Sequence, residues 1–502
     1  MLGKLVKQGA IYGVSTILGR LLSYLLTPYY TRLFVEEEYG IITDLYSIIP
    51  FALVLLTMGM ESSYFRFSTR AKEEARAAGG SAEHIEREIQ QKQRTLFATT
   101  WGATIALAAL FTLAVVTLRA PINEVMGEAY VLQPMMVVVV AAIIFFDVIA
   151  CVPFSRLREG GEARKYVAFK LLNIVMQVGL AVAFGVMGLF ATPFGVGWAL
   201  VANLIASVVT FVILVVTGLR VWPRISWPLL VVIFGYSIPL LLSGVASTAT
   251  DFIDRQFIKY MTPEANKMAQ LGIYGAVTKI AVVMTLFTQT YRLAAEPFFL
   301  AEFKERDFVE SNAATMKYYV MATMAIFLFI ALFKDLFAYI VSADFRQGIY
   351  ILPVILASNL LMGIWLNLSF WYKREEKTKY AIAISMVGLV VTVVANLVLV
   401  PRHGYFGAAW ARLICEGAMV GYSYYLCRRH YPIPYDLGRI VTYMALGGAL
   451  YGVSVWYGGV VGAATWSNYA VSTALLASYC TFAVWREKID VGRLLKSIIK
   501  RG

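Results

Sequence analysis

The chain has 502 residues, of which 59% are hydrophobic and only 15% are charged, and its formal net charge is +13. A soluble protein of this length needs far more charge on its surface, so the composition excludes one. In a soluble chain the basic balance would suggest a nucleic-acid partner. Here the apolar runs recur along the whole sequence, which is typical of a polytopic helical membrane protein.

Fourteen apolar runs are long enough to cross a bilayer as helices, and the alternating pattern of membrane strands is absent. The sequence therefore predicts an all-α polytopic membrane protein with about 14 transmembrane helices. The predicted spans are about 8–30, 41–64, 95–118, 132–154, 167–189, 195–217, 229–250, 272–291, 318–340, 349–372, 380–400, 405–427, 439–459 and 466–485.

The first span carries one charge, Arg20, near its middle. Helical spacing from this arginine places four small or polar residues on the same face: Gly13, Thr16, Ser23 and Thr27. A mid-membrane charge faces protein or water, because facing lipid costs several kcal/mol. The forked guanidinium suits a phosphate or pyrophosphate, and the alternative is a buried ion pair with a carboxylate on a facing helix.

The other charges inside predicted spans each leave two interpretations open. Asp147 in span four has no partner within a helical turn, so it could carry a proton or accept a hydrogen bond from another helix. Lys279 in span eight could attract phosphate or extend to the outer interface. Arg412 and Glu416 in span twelve are four residues apart, so they could pair as a structural lock or face a cavity.

The distribution of Lys and Arg predicts the orientation. Of the 44 such residues, 33 lie in the connections on the side of both termini and seven in the opposite set. The positive-inside rule therefore places both termini in the cytoplasm, and it explains the basic balance without nucleic acid. The longest cytoplasmic connection, 66–94, carries mixed charge and helix-forming residues, which predict a short solvated helix.

Short motifs recur in the two halves of the chain. The matching pairs are Phe194-Gly195-x-x-Trp198-Ala199 with Phe406-Gly407-x-x-Trp410-Ala411, Lys165-Tyr166 with Lys379-Tyr380, and Gly13-x-Ser15 with Gly235-x-Ser237. The repeat predicts two six-helix bundles of the same orientation, 1–217 and 218–430, with the site at their interface. Residues 431–502 then form two additional helices and a basic cytoplasmic tail.

No pattern typical of an enzyme is present in the sequence. The three histidines, His84, His403 and His430, lie in separate connections, and no metal-ligand spacing, phosphate-binding loop or nucleophile motif occurs. We therefore expect no catalytic residue, no metal site and no cofactor.

Several motifs, in their order along the chain, carry a family resemblance. They are Thr31-Arg32-Leu33, Glu38-Tyr39-Gly40, Gly59-Met60-Glu61-Ser62-Ser63-Tyr64-Phe65-Arg66, Asp254-Arg255, Gly272-Ile273-Tyr274-Gly275 with Lys279-Ile280, and Gly404-Tyr405-Phe406-Gly407-Ala408-Ala409-Trp410. In this order the chain resembles the polysaccharide-transporter (O-antigen flippase) family of the multidrug/oligosaccharidyl-lipid/polysaccharide exporter superfamily. The resemblance covers essentially the whole chain.

The resemblance implies a multi-pass protein of the bacterial inner membrane. Such a protein moves an undecaprenyl-pyrophosphate-linked oligosaccharide to the periplasmic leaflet for O-antigen, capsule or exopolysaccharide synthesis, by ion-coupled alternating access. Its partners would be this lipid-linked cargo, membrane lipids, and a polysaccharide polymerase and glycosyltransferases. Related lipid II flippases carry several cavity arginines in the first helix, whereas this chain has only Arg20 there.

Combined with the charges, the resemblance predicts Arg20, Lys279 and Arg412 as substrate-binding residues and Asp147 and Glu416 as ion-coupling residues. Two alternatives remain. A cation-coupled multidrug exporter of the same superfamily would favour carboxylates over arginine in its cavity. A membrane polysaccharide polymerase or ligase would need a sizeable outer loop with catalytic groups, and the outer connections here are short.

The predicted orientation can be tested with single cysteines in a cysteine-free background. Cysteines replacing Ser81 or Ser497 should resist a membrane-impermeant thiol reagent in intact cells, because both positions are predicted to be cytoplasmic. A cysteine replacing Ala265 should be labelled. Labelling of position 81 from outside would reverse the predicted topology.

Overall fold

The computed structural model describes residues 17–19, 21, 22, 24–218, 225–262, 266–300, 305–375, 377–461 and 466–488. Within these ranges every regular element is a helix. The all-α polytopic fold class predicted from hydropathy is therefore confirmed. Helices suit this sequence because an α-helix satisfies its own backbone hydrogen bonds, which lipid cannot do.

The described helices follow the predicted spans, with several of them broken or extended. In chain order they are α1 (Leu26–Leu33), α2 (Glu36–Thr57), α3 (Met60–Ala78), α4 (Ala82–Thr117), α5 (Arg119–Met126), α6 (Glu128–Leu132), α7 (Met135–Glu159), α8 (Ala163–Val186), α9 (Gly197–Gly218), α10 (Trp227–Met261), α11 (Lys267–Ile280), α12 (Val282–Leu300), α13 (Glu305–Leu332), α14 (Lys334–Phe337), α15 (Leu352–Leu368), α16 (Phe370–Arg374), α17 (Thr378–His430), α18 (Leu437–Val461) and α19 (Trp466–Arg486).

In the described part of the chain, ten helices are long and apolar enough to cross a membrane, or eleven when α11 and α12 are taken as one bent span. This number is below fourteen for identifiable reasons. Part of the first predicted span, residues 8–16, 20 and 23, lies outside the described residues, and α17 joins predicted spans eleven and twelve across a kink at Gly404. The helix α19, at the position of span fourteen, is not among the ten. The count of fourteen therefore stays a prediction.

Two helix breaks rest on residues with positive φ. Met58 and Gly59, with φ of 47° and 69°, separate α2 from α3 near the end of the second predicted span, just before Glu61. Gly404, with φ of 53°, breaks the regular geometry inside α17. Glycine adopts this conformation without the steric cost that a side chain such as that of Met58 adds.

The connection 66–94 differs from the short separate helix that its composition predicts. The helix α3 continues to Ala78 and α4 begins at Ala82, so two extensions of membrane helices flank a short break. Exposed ion pairs one turn apart support them: Arg70 with Glu74 at 2.7 Å and Lys92 with Glu88 at 2.9 Å. Each such pair contributes little, but a helix already nucleated in the membrane needs little more to continue.

The chain divides into two compact units. Unit 1 comprises residues 1–260 and 264–272, and unit 2 comprises 261–263 and 273–502. This division by packing places α10 in unit 1, whereas the sequence repeat groups the same helix with the second bundle. The predicted bundles 1–217 and 218–430 are defined by the sequence repeat, whereas the two units are defined by packing. The bundles therefore stay a prediction.

Unit 1 is organised around α7, which is hydrophobic on nearly all faces. Among the candidate membrane spans of this unit, α7 has the largest share of buried residues. One core cluster joins α3, α4, α7 and α10; its members are Met60, Tyr64, Leu96, Phe97, Val152, Leu230 and Ile233. The hydroxyls of Ser63 and Ser237 lie 2.6 Å apart beside this cluster. Because lipid is as apolar as these side chains, close packing and such hydrogen bonds hold the helices together.

Unit 2 is organised around α15, in which most residues are buried. The helix packs against α13 and α17, and α13 also packs against α18. The central helices α7 and α15 correspond to predicted spans four and ten.

A buried polar cluster attaches the last helix to unit 2. Glu487 lies directly after α19, and its side chain is 2% exposed. Its carboxylate receives hydrogen bonds from Lys317 of α13 and from Arg439 and Tyr443 of α18. Burial alone raises the pKa of Glu487, but the hydrogen bonds from Lys317, Tyr443 and Arg439 outweigh burial and lower this pKa below its usual value. The ionised carboxylate therefore stabilises the fold.

The variant Glu487→Gln should lower the melting temperature of the purified protein by several degrees at pH 7, because the half-buried Lys317 and Arg439 lose their counter-charge. The stabilising effect of a carboxyl with a lowered pKa is present above its unfolded value of about 4.3 and is lost as the pH falls through the folded value. The difference between wild type and variant should therefore shrink as the pH is lowered below the unfolded pKa in thermal unfolding experiments.

The matched control is Glu375→Gln, which removes the partly exposed pair of Glu375 with Lys377. This change should leave the melting temperature nearly unaltered, since exposed pairs contribute little. A difference between Glu487→Gln and wild type that persists unchanged at low pH would contradict the assigned role of the carboxylate.

Candidate functional site

Polar and charged side chains of unit 1 surround a cavity of about 610 Å³, here called the unit 1 cavity. It is lined by residues of α2, α3, α7, α8, α9 and α10. The polar and charged lining residues discussed below are Glu61, Asp147, Arg158, Lys170, Asn173, Ser207 and Thr210. A cavity of this composition between apolar helices can hold water and a polar ligand.

Asp147 lies in the middle of α7 and is half-buried in the cavity wall. The hydroxyl of Ser207 on α9 donates a hydrogen bond of 2.8 Å to its Oδ1 atom. Of the two interpretations of this carboxylate, the structure thus supplies the cross-helix hydrogen bond. Its location in a polar cavity still leaves the other carboxylate oxygen available to a cation or a proton.

Glu61 is a second carboxylate of the cavity and was not among the predicted site residues. It is exposed and follows directly after the break between α2 and α3, in the first turn of α3. The thiol of Cys151 on α7 donates to its Oε1 atom at 3.3 Å. Since Cys151 is one helical turn from Asp147, the two carboxylates line the same wall of the cavity.

Two cations complete the charge balance of the lining. Lys170 on α8 is exposed, with its Nζ atom 4.2 Å from the centre of the Phe154 ring. The guanidinium of Arg158, near the end of α7, lies 5.1 Å from the Phe65 ring centre and 5.8 Å from that of Tyr166. Aromatic faces favour cations at these distances, so the rings help to position both charges.

The periodicity of two helices could have revealed this lining. On α7, Asp147, Cys151 and Arg158 are separated by four and seven residues, and on α8 Lys170 and Asn173 are separated by three. Residues at these spacings share one face of a helix. Asn173 also donates to Thr210 Oγ1 on α9 at 3.1 Å. The sequence prediction considered charges one at a time and therefore found only Asp147.

The predicted residues Lys279, Arg412 and Glu416 belong to unit 2. Lys279 is exposed and lies two residues before the 50° bend between α11 and α12. Arg412 is half-buried and Glu416 is 7% exposed, one turn apart on α17. Whether these three residues contact substrate or a coupling ion stays a prediction, and both interpretations of the Arg412 and Glu416 pair remain open.

The predicted residue Arg20 lies outside the described residues, as do Gly13, Thr16 and Ser23 of its proposed polar face. Thr27, the remaining member of that face, is buried. The role of Arg20 therefore rests on the sequence alone.

Solved structures of transporters share this fold at low sequence identity. The lipid II flippase MurJ in an inward closed conformation is 9% identical, with a TM-score of 0.66 over 96% of this chain and 100% of that one. An inward-facing multidrug resistance MATE family transporter of the MOP superfamily is 14% identical, with a TM-score of 0.65 over 81% of this chain and 94% of that one. The MATE multidrug transporter DinF-BH, solved as a complex, is 14% identical, with a TM-score of 0.62 over 86% of this chain and 96% of that one.

The sequence comparisons identify a family. Among curated proteins no significant match was found. The sequence profile described as "Polysaccharide biosynthesis protein" matches residues 5–300, which is more than half of the chain. Together with the fold shared with MOP-superfamily transporters, this match shows that the chain belongs to the polysaccharide biosynthesis protein family.

Proposed function

We propose that this protein is a flippase of the bacterial inner membrane. It translocates an undecaprenyl-pyrophosphate-linked oligosaccharide from the cytoplasmic to the periplasmic leaflet for the synthesis of O-antigen, capsule or exopolysaccharide. The observation that carries the proposal is the unit 1 cavity, whose lining holds charges of both signs together with amide and hydroxyl groups. The family match and the fold shared with a lipid II flippase support it.

The lining of the unit 1 cavity suits a sugar better than a flat lipophilic cation. Two carboxylates and two cations in one cavity balance to no net charge when all are ionised. Asn173, Ser207 and Thr210 add donors and acceptors, and the ring of Tyr166 adds an apolar face. Sugar hydroxyls need many such hydrogen-bond partners when they leave water, because each unpaired polar group is costly to bury.

The pyrophosphate of the cargo requires cations. We assign Arg20 to this group on the evidence of its mid-span position, because a guanidinium binds phosphate oxygens with two parallel hydrogen bonds. Lys279 and Arg412 are proposed as further phosphate ligands, on the sequence alone. The polyprenyl chain would remain in lipid, where its apolar surface needs no protein partner.

Ion coupling is assigned to Asp147 in unit 1 and to Glu416 in unit 2. At Asp147, binding of a proton or a metal cation changes the charge of the unit 1 cavity by at least one unit. Glu61, on the same wall, responds to that change through the field that the two carboxylates share. Binding of the ion at Asp147 would therefore change the affinity of the unit 1 cavity for a charged cargo.

The cargo defines the partners of the proposed pathway. Glycosyltransferases must assemble the oligosaccharide on the lipid before translocation, and a polymerase or ligase must consume it afterwards. A cation-coupled multidrug exporter is the second candidate, because two of the compared structures are multidrug transporters. Arg158 and Lys170 in the cavity count against it, since they cancel the negative charge of Glu61 and Asp147 that would attract a cationic drug.

The first test of the proposal changes Arg20. Arg20→Ala should stop export of surface polysaccharide while the protein reaches the membrane in normal amount, because the diphosphate loses its ligand. Arg20→Lys should keep part of the activity, since a point charge attracts phosphate without the bidentate geometry. Export and membrane abundance are measured in the same cells, in a host whose own flippase gene is deleted and which carries the gene cluster of the wild-type protein.

Arg32→Ala is the matched control, because this exposed arginine lies in α1, beyond the predicted first span. It should export normally. Full export by a well-expressed Arg20→Ala protein would refute the assignment of the pyrophosphate. Loss of the Arg20→Ala protein from the membrane, with recovery on neutralising a carboxylate, would show a structural ion pair instead.

The second test addresses the unit 1 cavity. In a cysteine-free background, a cysteine at Asn173 should react with a small cationic methanethiosulfonate on the order of tenfold faster than one at Leu172, because a thiol ionises in a water-filled cavity but not against lipid. Asn173 lines the cavity, whereas Leu172, its neighbour on the helix, is 37% exposed and does not. Modification at 173 should also reduce export. Equal reactivity at the two positions would contradict a hydrated cavity.

A further inference from the structure

A buried ion pair joins two helices of unit 1 outside the unit 1 cavity. Lys259 on α10 donates a hydrogen bond of 2.6 Å to Asp44 Oδ2 on α2, and both residues are nearly inaccessible, at 5% and 0% exposure. Tyr130 of α6 donates to the same oxygen at 2.6 Å, and Gln256 of α10 donates to Oδ1 at 2.9 Å. These four residues are called the Asp44 cluster. The carboxylate thus has a partner on each oxygen.

Further contacts at the same end of the unit hold α10 and α11 close to α2 and α5. The hydroxyl of Tyr260 donates to the backbone oxygen of Val125 at 3.3 Å. A Cβ atom added to Gly40 would lie 2.0 Å from the carbonyl oxygen of Met268, and one added to Gly272 would lie 2.0 Å from that of Glu36. Only glycine allows the backbones of α2 and α11 to approach so closely.

The position of the Asp44 cluster suggests a role in movement. Asp44 is eight residues after the start of α2 and Lys259 is two residues before the end of α10. Both ends lie on the predicted outer side, as does the connection that contains Tyr130. The sequence repeat groups α10 with the second bundle, yet the cluster fastens its outer end within unit 1.

An ion pair has different energetics from an apolar contact when helices separate. Burying two charges costs desolvation, and their attraction repays this cost only where further hydrogen bonds satisfy the charges, as those from Tyr130 and Gln256 do here. If the helices part and water enters, both charges are hydrated again and the desolvation cost disappears. An apolar contact of the same size would instead expose its surface to water. A buried pair is therefore suited to a contact that must both close and open.

We propose that the Asp44 cluster holds the outer end of α10 against α2 in the closed state and opens in each transport cycle. The inference needs only that the protein transports by alternating access, and it does not depend on the identity of the cargo. Opening would release the end of α10 from Asp44 and Tyr130 and let water reach both charges.

The first experiment measures the distance between spin labels at Val125 and Tyr260, two positions outside the four residues of the Asp44 cluster. Because the label at 260 removes a ring whose centre lies 5.0 Å from Lys259 Nζ, the reference is the labelled protein with Asp44 and Lys259 in place. Purified protein in lipid nanodiscs should show mainly a short distance. Combining Asp44→Asn with Lys259→Gln should raise the fraction with a longer distance on the order of tenfold, because the charge-assisted hydrogen bonds that favour the closed state are removed and no apolar surface replaces them. The double change is used because either single change leaves a buried charge alone and destabilises the fold itself.

Arg119→Met is the matched control, since it removes an exposed cation on the same predicted side. Its distance distribution should equal that of the wild type. An unchanged short distance in the folded double variant, judged by an unaltered melting temperature, would overturn the proposal. This experiment uses no cargo, so it gives an answer even if the proposed flippase function is wrong.

The second experiment locks the same contact with Asp44 and Lys259 in place. Cysteines at Val125 and Tyr260, in a cysteine-free background, are joined in cells by a short bifunctional methanethiosulfonate. Export of surface polysaccharide should fall on the order of tenfold and return after reduction, whereas a monofunctional reagent on the same variant should have no effect. Full export by completely cross-linked protein would show that the outer end of α10 need not move, and would overturn the proposal.

Together the two experiments show whether the role of the Asp44 cluster or the proposed flippase function is wrong. If wild-type protein supports no polysaccharide export in the test cells, the proposed function fails while the distance measurement still decides the role of the Asp44 cluster. If cross-linking stops export but the neutral double variant keeps the short distance, the end of α10 moves and the ion pair is not what holds it. That result also overturns the proposal.

Discussion

The high cost of a charge in an apolar environment governs where the polar residues of this protein lie. A carboxylate or ammonium removed from water must gain a partner or keep a hydrated cavity. The structure uses both solutions. Glu61 and Lys170 are exposed in the wall of the unit 1 cavity, whereas Asp44 and Glu487 are enclosed and receive several hydrogen bonds each. The first arrangement suits a ligand and the second joins helices.

The helices of each unit are held by shape and hydrogen bonds rather than by the hydrophobic effect. Lipid solvates leucine as well as a protein core does, so association within the membrane depends on close packing and polar contacts. In unit 1, the pairing of Ser63 with Ser237 and the close approach at Gly40 and Gly272 are contacts of this kind. Such contacts can be exchanged at low cost, as the proposed transport cycle would require.

The helix α10 connects these features. Its first half packs on the core of α3, α4 and α7, and its Leu240 and Gly244 line the unit 1 cavity. Its outer end carries Lys259 of the Asp44 cluster. A movement of this end would therefore be transmitted along one helix to the wall of the cavity. This arrangement provides a physical route by which opening of the outer contact and occupation of the cavity can influence each other.

The sequence alone determined that the protein is all-helical and polytopic, because hydrophobicity and helix length are local properties set by the thickness of the bilayer. It also identified Asp147 as a carboxylate inside a membrane span, and it contains the motifs that carry the family resemblance. Only the tertiary structure decided which polar residues meet: Glu61 reaches Cys151 across 90 positions, and Asp44 pairs with Lys259 across 215. Hydropathy contains no information on which helices become neighbours, since all apolar faces are equivalent to lipid. For the same reason the sequence grouped α10 by its repeat, while packing assigned it to unit 1.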